Sequence, residues 1–255
     1  GNLRFPPVFS FCSISAIVSS MQLLPVKTPT LQPPQADLFS VLSNCLSGLQ
    51  EKDVVVVSSK VVAIHEGRCV PMGEADKHQL INEEADVSIP RSYWKSPLTI
   101  KHHAFIGTAG IDESNADGHY ILLPENPQKS AQAIHSWLTE TFSVSDLGVI
   151  ISDSHSAPFR RGAVGVAIGF WGFVPVDSHI GKQDLFGREM SVEVTNVADS
   201  VAASANLAMG EVAESTPVVI ARDVPNVQFS HQDHQADLFC RFEDDIFRVL
   251  YEKFL

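Results

Sequence analysis

Apolar positions along this chain change period several times, and each change predicts an element. Over residues 36–49, Leu38, Val41, Leu42 and Cys45 recur at helical spacing ahead of Gly48, the pattern of a helix with one packed face. Asp53 then opens residues 54–62, a continuous β-branched run that suits a strand buried on both sides. Residues 70–90 are charged and read as partly helical around Glu83 and Glu84, and residues 100–109 read as a strand with tight backbone at Gly107 and Gly110. Residues 130–141 place Ala131, Ile134, Trp137 and Leu138 on one helical face, and residues 147–152 form a strand ending at Asp153.

The glycines of residues 162–172 are separated by Val, Ala and Ile, which suggests close backbone packing rather than a linker. Residues 190–197 alternate like a strand. Asp199 is placed to cap an Ala-rich helix over residues 201–209, which Gly210 can end in the left-handed conformation. Residues 217–221 predict another strand and residues 244–254 a closing helix. Because strands and helices do not alternate regularly, the expected class is α+β, with mixed or antiparallel sheets and packed helices. No repeat or low-complexity tract interrupts residues 22–255, which we read as the folded domain, of one body or of two subdomains with no boundary marked in the sequence, with residues 1–21 as an N-terminal extension. Residues 8–21 of that extension are apolar or small, too few to cross a bilayer, and only Arg4 supplies positive charge ahead of them.

Composition narrows the function. At 255 residues, 44% hydrophobic and 19% charged, the chain is built like a globular protein, and we expect it to be cytoplasmic, without a membrane partner. A formal charge of −12 disfavours a nucleic-acid partner, which needs clustered cations to release counterions. It leaves room for a nucleotide whose phosphates are carried by a divalent cation on carboxylates. Cys12, Cys45, Cys69 and Cys240 form no C-x-x-C pair and read as reduced, packed thiols.

Three segments place hard oxygen ligands where elements stop: residues 110–115 with Asp112, residues 151–154 with Asp153 and Ser154, and residues 209–211 with Glu211. An isolated Asp after a strand is more often a turn or cap residue, so their conjunction matters more than any one of them. Lys60, after Ser58 and Ser59, can meet a phosphate as a point charge, and Arg160, Arg161 and Arg188 offer forks for carboxylate or phosphoryl groups; surface roles are the plain alternative for each. Neither a G-x-x-x-x-G-K-[ST] loop nor a G-x-G-x-x-G turn is present, and the ten histidines complete no zinc pattern.

Seven segments occur in an order that resembles the F420-0:gamma-glutamyl ligase family: residues 54–68 (VVVVSSKVVAIHEGR), 109–115 (AGIDESN), 122–124 (LLP), 148–154 (GVIISDS), 160–169, 184–188 (DLFGR) and 198–211 (ADSVAASANLAMGE). The resemblance spans about residues 22–222. It implies an intertwined α+β homodimer and GTP-dependent addition of L-glutamate to coenzyme F420-0, with ATP as the alternative nucleotide. Mn2+ or Mg2+ is the implied metal, with a monovalent cation as a further candidate. On this sequence the implied metal ligands are Asp112, Asp153, Ser154 and Glu211. The implied nucleotide contacts are Leu24, Pro25, Val26, Lys27, Ser59, Lys60, Asn115, Met209, Gly210, Glu211, Val212, Ala213, Glu214, Ser215 and Thr216, and Lys60 and Arg160 are the expected catalytic cations. Ile64 stands where family members commonly carry a second lysine, and residues 156–160 and 198–201 also depart from the family pattern. These departures keep two alternatives open: a related ligase acting on another carboxylate, and a nucleotide- or metal-binding homologue without turnover.

Overall fold

Four consecutive valines, Val54 to Val57, occupy the middle of the central sheet, and each is fully buried because helices cover both faces. The computed structural model describes residues 20–255, so the expected N-terminal extension, apart from its last two residues, and Cys12 lie outside the described residues. The chain opens with β1 (Gln22–Val26), α1 (Leu38–Cys45), β2 (Val54–Ser58), α2 (Ser59–His65) and β3 (Cys69–Pro71). Next come α3 (Lys77–Glu84), β4 (Val87–Ile89), β5 (Leu98–Lys101), β6 (Ala104–Gly107), β7 (His119–Ile121) and α4 (Pro127–Phe142). β8 (Gly148–Ser156) and β9 (Ala163–Trp171) form a long hairpin, followed by β10 (Phe173–Val174), β11 (Val176–Ser178) and β12 (Val194–Asn196). The chain ends with α5 (Val197–Met209), β13 (Val218–Arg222), β14 (Gln228–Phe229), α6 (Gln235–Leu238) and α7 (Arg248–Tyr251).

The main sheet has the order β1-β13-β2-β8-β9, with β2 and β8 parallel and the other neighbours antiparallel, which makes the class α+β with a mixed sheet, as expected. Alternation sorts its residues into two cores. Val55, Val57 and Ile151 meet Leu42, Ile64 and Leu138 of α1, α2 and α4, whereas Val54, Val56 and Ile150 meet Ala202 and Ala205 of α5. Two glycines set how closely the helices approach β9. A Cβ on Gly169 would lie 2.4 Å from the carbonyl group of Pro127 in α4, and one on Gly165 would lie 2.5 Å from the carbonyl oxygen of Ala202 in α5. These residues sit on opposite faces, although an even number of positions separates them, because a register shift leaves Ile168 as an extra residue between the Ile151–Gly169 and Ser152–Ala167 pairs.

Several expected elements are corrected. The run 54–62 is not one strand: Ser58 donates its N–H to the carbonyl of Pro217, and from Ser59 the chain closes into α2. A short helix buried all round has the same unbroken apolar pattern as a buried strand. Residues 100–109 fold as the β5–β6 hairpin, with His102 (φ 49°) and His103 (φ 61°) as its two-residue turn and a 3-10 turn following at Thr108–Gly110. α5 begins at Val197 rather than 201, and its cap is Asn196, whose side chain accepts from Asp199 N. Asp199 instead accepts from the Ala167 N–H at 2.9 Å, stitching α5 to β9. Gly210 takes φ 76° with ψ 175°, outside the left-handed helical region. The strand expected over residues 190–197 shortens to β12, the closing helix shortens to α7 plus a 3-10 turn, and Cys240 is exposed rather than packed. Among the described residues no helix is long and apolar enough to cross a membrane.

Candidate active site

β2 and β8, the parallel pair, both run out at the same end of the sheet, and polar residues take over there: Ser58 on one strand and Ser152, Asp153 and Ser154 on the other. Side chains at the ends of adjacent parallel strands converge on one crevice. The loop after α5 closes its far side, and residues 28–31 after β1 complete the wall, leaving a cleft of about 360 Å³.

Two carboxylates face this cleft in different electrostatic states. Asp112 lies on an irregular segment fixed by mutual backbone hydrogen bonds with Ile121. Its carboxylate takes Lys60 Nζ at 2.5 Å, Ser114 N at 2.7 Å and Ser114 Oγ at 3.0 Å. Partial burial raises its pKa, but the lysine and the Ser114 donors outweigh that and hold it below the usual carboxylate value. Lys60 also donates to the Ser114 carbonyl at 2.9 Å. Among the described residues Asp153 has no ion-pair partner of its own. Burial pushes its pKa up to about 6, the nearby Asp112 charge adds to that, and the Ser59 hydroxyl, 2.7 Å away, and the Ser154 N–H only partly offset it.

The loop after α5 is held in shape by its own polar groups. Thr216 Oγ1 donates to the Met209 carbonyl at 2.7 Å, Val212 N donates to Glu214 at 2.9 Å, and Thr28 N donates to the Ser215 carbonyl at 2.9 Å. Asn115 Nδ2 reaches across to the Val212 carbonyl at 2.8 Å, and Asn206 Nδ2 donates to Glu211 at 3.1 Å. Asn115 and Ser215 have positive φ, so two non-glycine residues at the rim hold conformations that cost free energy.

The pattern of the F420-0:Gamma-glutamyl ligase family matches residues 25–223. The chain belongs to that family. It is thus a ligase-family enzyme, and curated relatives agree along most of its length. It is 33% identical over 222 residues to the coenzyme F420:L-glutamate ligase of Methanocaldococcus jannaschii, covering 78% of this chain and 86% of that protein. To the ligase of the same name from Methanopyrus kandleri it is 32% identical over 250 residues, covering 90% and 98%. Identity reaches 36% over 223 residues with that of Halorubrum lacusprofundi, covering 78% and 85%.

Of the residues the ligase resemblance singled out, Lys60, Asp112, Asn115, Asp153, Ser154 and the whole of residues 209–216 line this one cleft. Ser59 lies just behind it, buried and hydrogen-bonded to Asp153. Leu24, Pro25 and Val26 are in β1, paired with Ile220, Val219 and Val218, and neither they nor Lys27 line the cleft; Thr28, Pro29, Thr30 and Leu31 do. Arg160 is exposed in the β8–β9 turn, donates to its neighbour's carbonyl at Phe159, and does not line the cleft. Sequence reasoning missed Thr28 and passed over Ser114 as an individual contact; the run of hydroxyls just after a strand end was the available signal for Thr28. Ile64, singled out as a departure from the expected pattern, lines the cleft at 2% exposure as an apolar part of its wall.

Proposed function

We propose that this chain uses GTP to join the amine of L-glutamate to a carboxylate of coenzyme F420-0, acting as a homodimer whose ligase domain is residues 22–255. The observation that carries the reading is the convergence of Asp153, the Asp112–Lys60 ion pair and a self-braced loop on one cleft. Among the described residues no three His, Cys, Asp or Glu side chains stand preassembled at metal-binding distance. The donor set nonetheless suits a hard divalent cation: Asp153 is a half-buried carboxylate that pairs with no cation among the described residues, and Asp112, Ser154 and Glu211 present oxygens to the same space. These residues would hold Mn2+ or Mg2+, which when bound would supply neutralisation of triphosphate charge.

The chain's own residues then position the reactants. In this reading Lys60 trades its Asp112 contact for phosphate oxygens, and the loop 209–216 with Asn115 holds the nucleotide. An oxygen of the acceptor carboxylate attacks the γ-phosphorus, the bond to the bridging oxygen breaks, and GDP leaves. The glutamate amine attacks the resulting acyl phosphate, the amide forms, and phosphate and a proton depart. No protein nucleophile is required, so the enzyme's contribution is placement and charge stabilisation. The buried Ile64 favours a second reading, the same chemistry on a different carboxylate.

Purified protein with glutamate, coenzyme F420-0, a divalent cation and either GTP or ATP decides the matter by mass of the product. A mass gain of one glutamate dependent on GTP and metal is expected. Nucleotide binding with no glutamylated product defeats the F420-0 assignment, and product with ATP alone reassigns the nucleotide.

A further inference from the structure

The cleft has two sides, because its floor is the end of a sheet with helices on both faces. Asp153 follows the alternation of β8 toward α2, where it accepts from the Ser59 hydroxyl, and the Lys60–Asp112 ion pair belongs to that side as well. Ser58 and Ser152 follow Val56 and Ile150 toward α5 instead. These two serines are direct partners in the register of the parallel pair, on strands about 4.8 Å apart, and both line the cleft.

Neither hydroxyl serves the fold. Ser152 is 3% exposed, and its Oγ is sealed from solvent without a hydrogen-bond partner among the described residues. Ser58 stands at the N-cap of α2, where a serine side chain ordinarily accepts from the first turn, yet it makes no such bond. A buried hydroxyl without a partner destabilises the resting protein, and a ligand that supplies the missing bond offsets that effect.

Charge on this side selects the ligand. Among the described residues lining the cleft Lys60 is the one Lys or Arg, and it sits on the α2 side, whereas Asp112, Asp153, Glu211 and Glu214 all line the same space. On the α5 side Asn206 already gives its Nδ2 to Glu211 at 3.1 Å. Free hydroxyl oxygens in an acidic surrounding favour a cation over a phosphate or a carboxylate. An ammonium group brings three N–H donors and no acceptor, and a hydroxyl can still bond to the neutral amine that it becomes.

We infer that Ser58 and Ser152 seat the amine of L-glutamate, on the face of β8 opposite Asp153 and next to it in sequence. The inference rests on the ligase reading above and adds the place where its nucleophile waits. It divides the cleft by charge: the triphosphate belongs to the α2 side with Lys60, the amine belongs to the α5 side, and the two meet where β2 and β8 end.

Equilibrium dialysis of the full chain against L-glutamate and against glutarate, its analogue without the amine, in the presence of Mg2+ and GDP, is the test. Ser152→Ala and Ser58→Ala stand beside the wild type, and each protein is also unfolded in urea. We expect the wild type to bind L-glutamate at least about tenfold more tightly than glutarate, and Ser152→Ala to erase that preference with glutarate and GDP affinities within about twofold of wild type. Ser58→Ala should lose less of the preference, about threefold, because Ser58 is only half-buried. Since the hydroxyl removed in Ser152→Ala has no partner in the resting protein, the urea midpoint of this variant should equal or exceed that of the wild type. A wild type without preference for L-glutamate, or a Ser152→Ala protein that keeps it, overturns the proposal. So does a lowered midpoint for Ser152→Ala, since the hydroxyl then serves the fold. Amine-dependent binding that is lost in Ser152→Ala, with no glutamylated coenzyme F420-0 made by the wild type, leaves the amine seat standing and removes the F420-0 assignment; product formation with the preference intact in Ser152→Ala does the reverse.

Discussion

Two aspartates stand at the central sheet, one at each end of the parallel pair, the first fully buried and the second half-buried in the cleft wall, and their surroundings are opposites. Asp53, fully buried just before β2, accepts from Arg222 at 2.7 and 2.8 Å and from the Gln50 N–H at 2.8 Å. Its charge is answered inside the fold, and it ties the start of β2 to β13. Asp153, near the other end of β8, receives a hydroxyl and a backbone N–H and no cation among the described residues, and its pKa is pushed up to about 6. A buried carboxylate with its own guanidinium is complete, whereas one without awaits a proton or a cation. The contrast separates a carboxylate that supports the sheet from one available for chemistry.

The largest effect that should expose this contrast is on turnover. Asp153→Asn is expected to reduce metal-dependent phosphate release at least about 10³-fold, roughly 4 kcal/mol of barrier, while thermal unfolding shows an intact fold. A rate within threefold of wild type removes Asp153 from the reaction. Next comes stability at the other end. Asp53→Asn leaves Arg222 without its partner carboxylate and should cost roughly 3 kcal/mol in denaturant unfolding, with or without divalent cation. A loss below about 0.5 kcal/mol shows that the pair is dispensable.

The smallest effect sharpens the comparison through pH. Because the folded-state pKa of Asp153 lies above its ordinary value of 3.8, folding favours its protonated form. The stability this group contributes is fully present below its unfolded pKa and is lost as pH rises through about 6. In chelator, the wild type should therefore lose up to about 3 kcal/mol relative to Asp153→Asn between pH 3.5 and pH 7.5, and a bound divalent cation should reverse part of that loss. A stability difference between the two proteins that stays flat across this range contradicts the assigned burial.

Local pattern made some of this legible. The faces of α1 and α4, the β13 run and the close packing around Gly165, Gly169 and Gly172 follow from periodicity and composition, because each has one dominant environment. The β2–α2 break was hidden because Val61, Val62 and Ile64 are as buried in a helix as the preceding valines are in a strand. The β5–β6 turn was hidden because two histidines occupy positive-φ positions where Asn-Gly is the usual sign. In the site, Asp112, Asp153 and residues 209–216 were placed from ordered motifs and do share a cleft. The sequence could not show that Lys60 rests on Asp112, that β1 stops before the cleft wall, or that Arg160 lies outside it, since these depend on how distant segments meet.

The extra residue at Ile168 makes β9 sensitive to length as well as to composition. Ahead of it Gly165 and Ala167 face α5, and beyond it Gly169 faces α4, so the strand is two segments set out of phase. Deleting one residue there would restore regular pairing yet turn one segment over, exchanging its inward and outward side chains through to the β8–β9 turn. The arm between β11 and β12 is constrained differently: it is a single two-stranded ladder, with Gly181 N donating to the Met190 carbonyl and Met190 N to that of Lys182, so a length change there shifts one exposed hairpin rather than a strand packed on both faces.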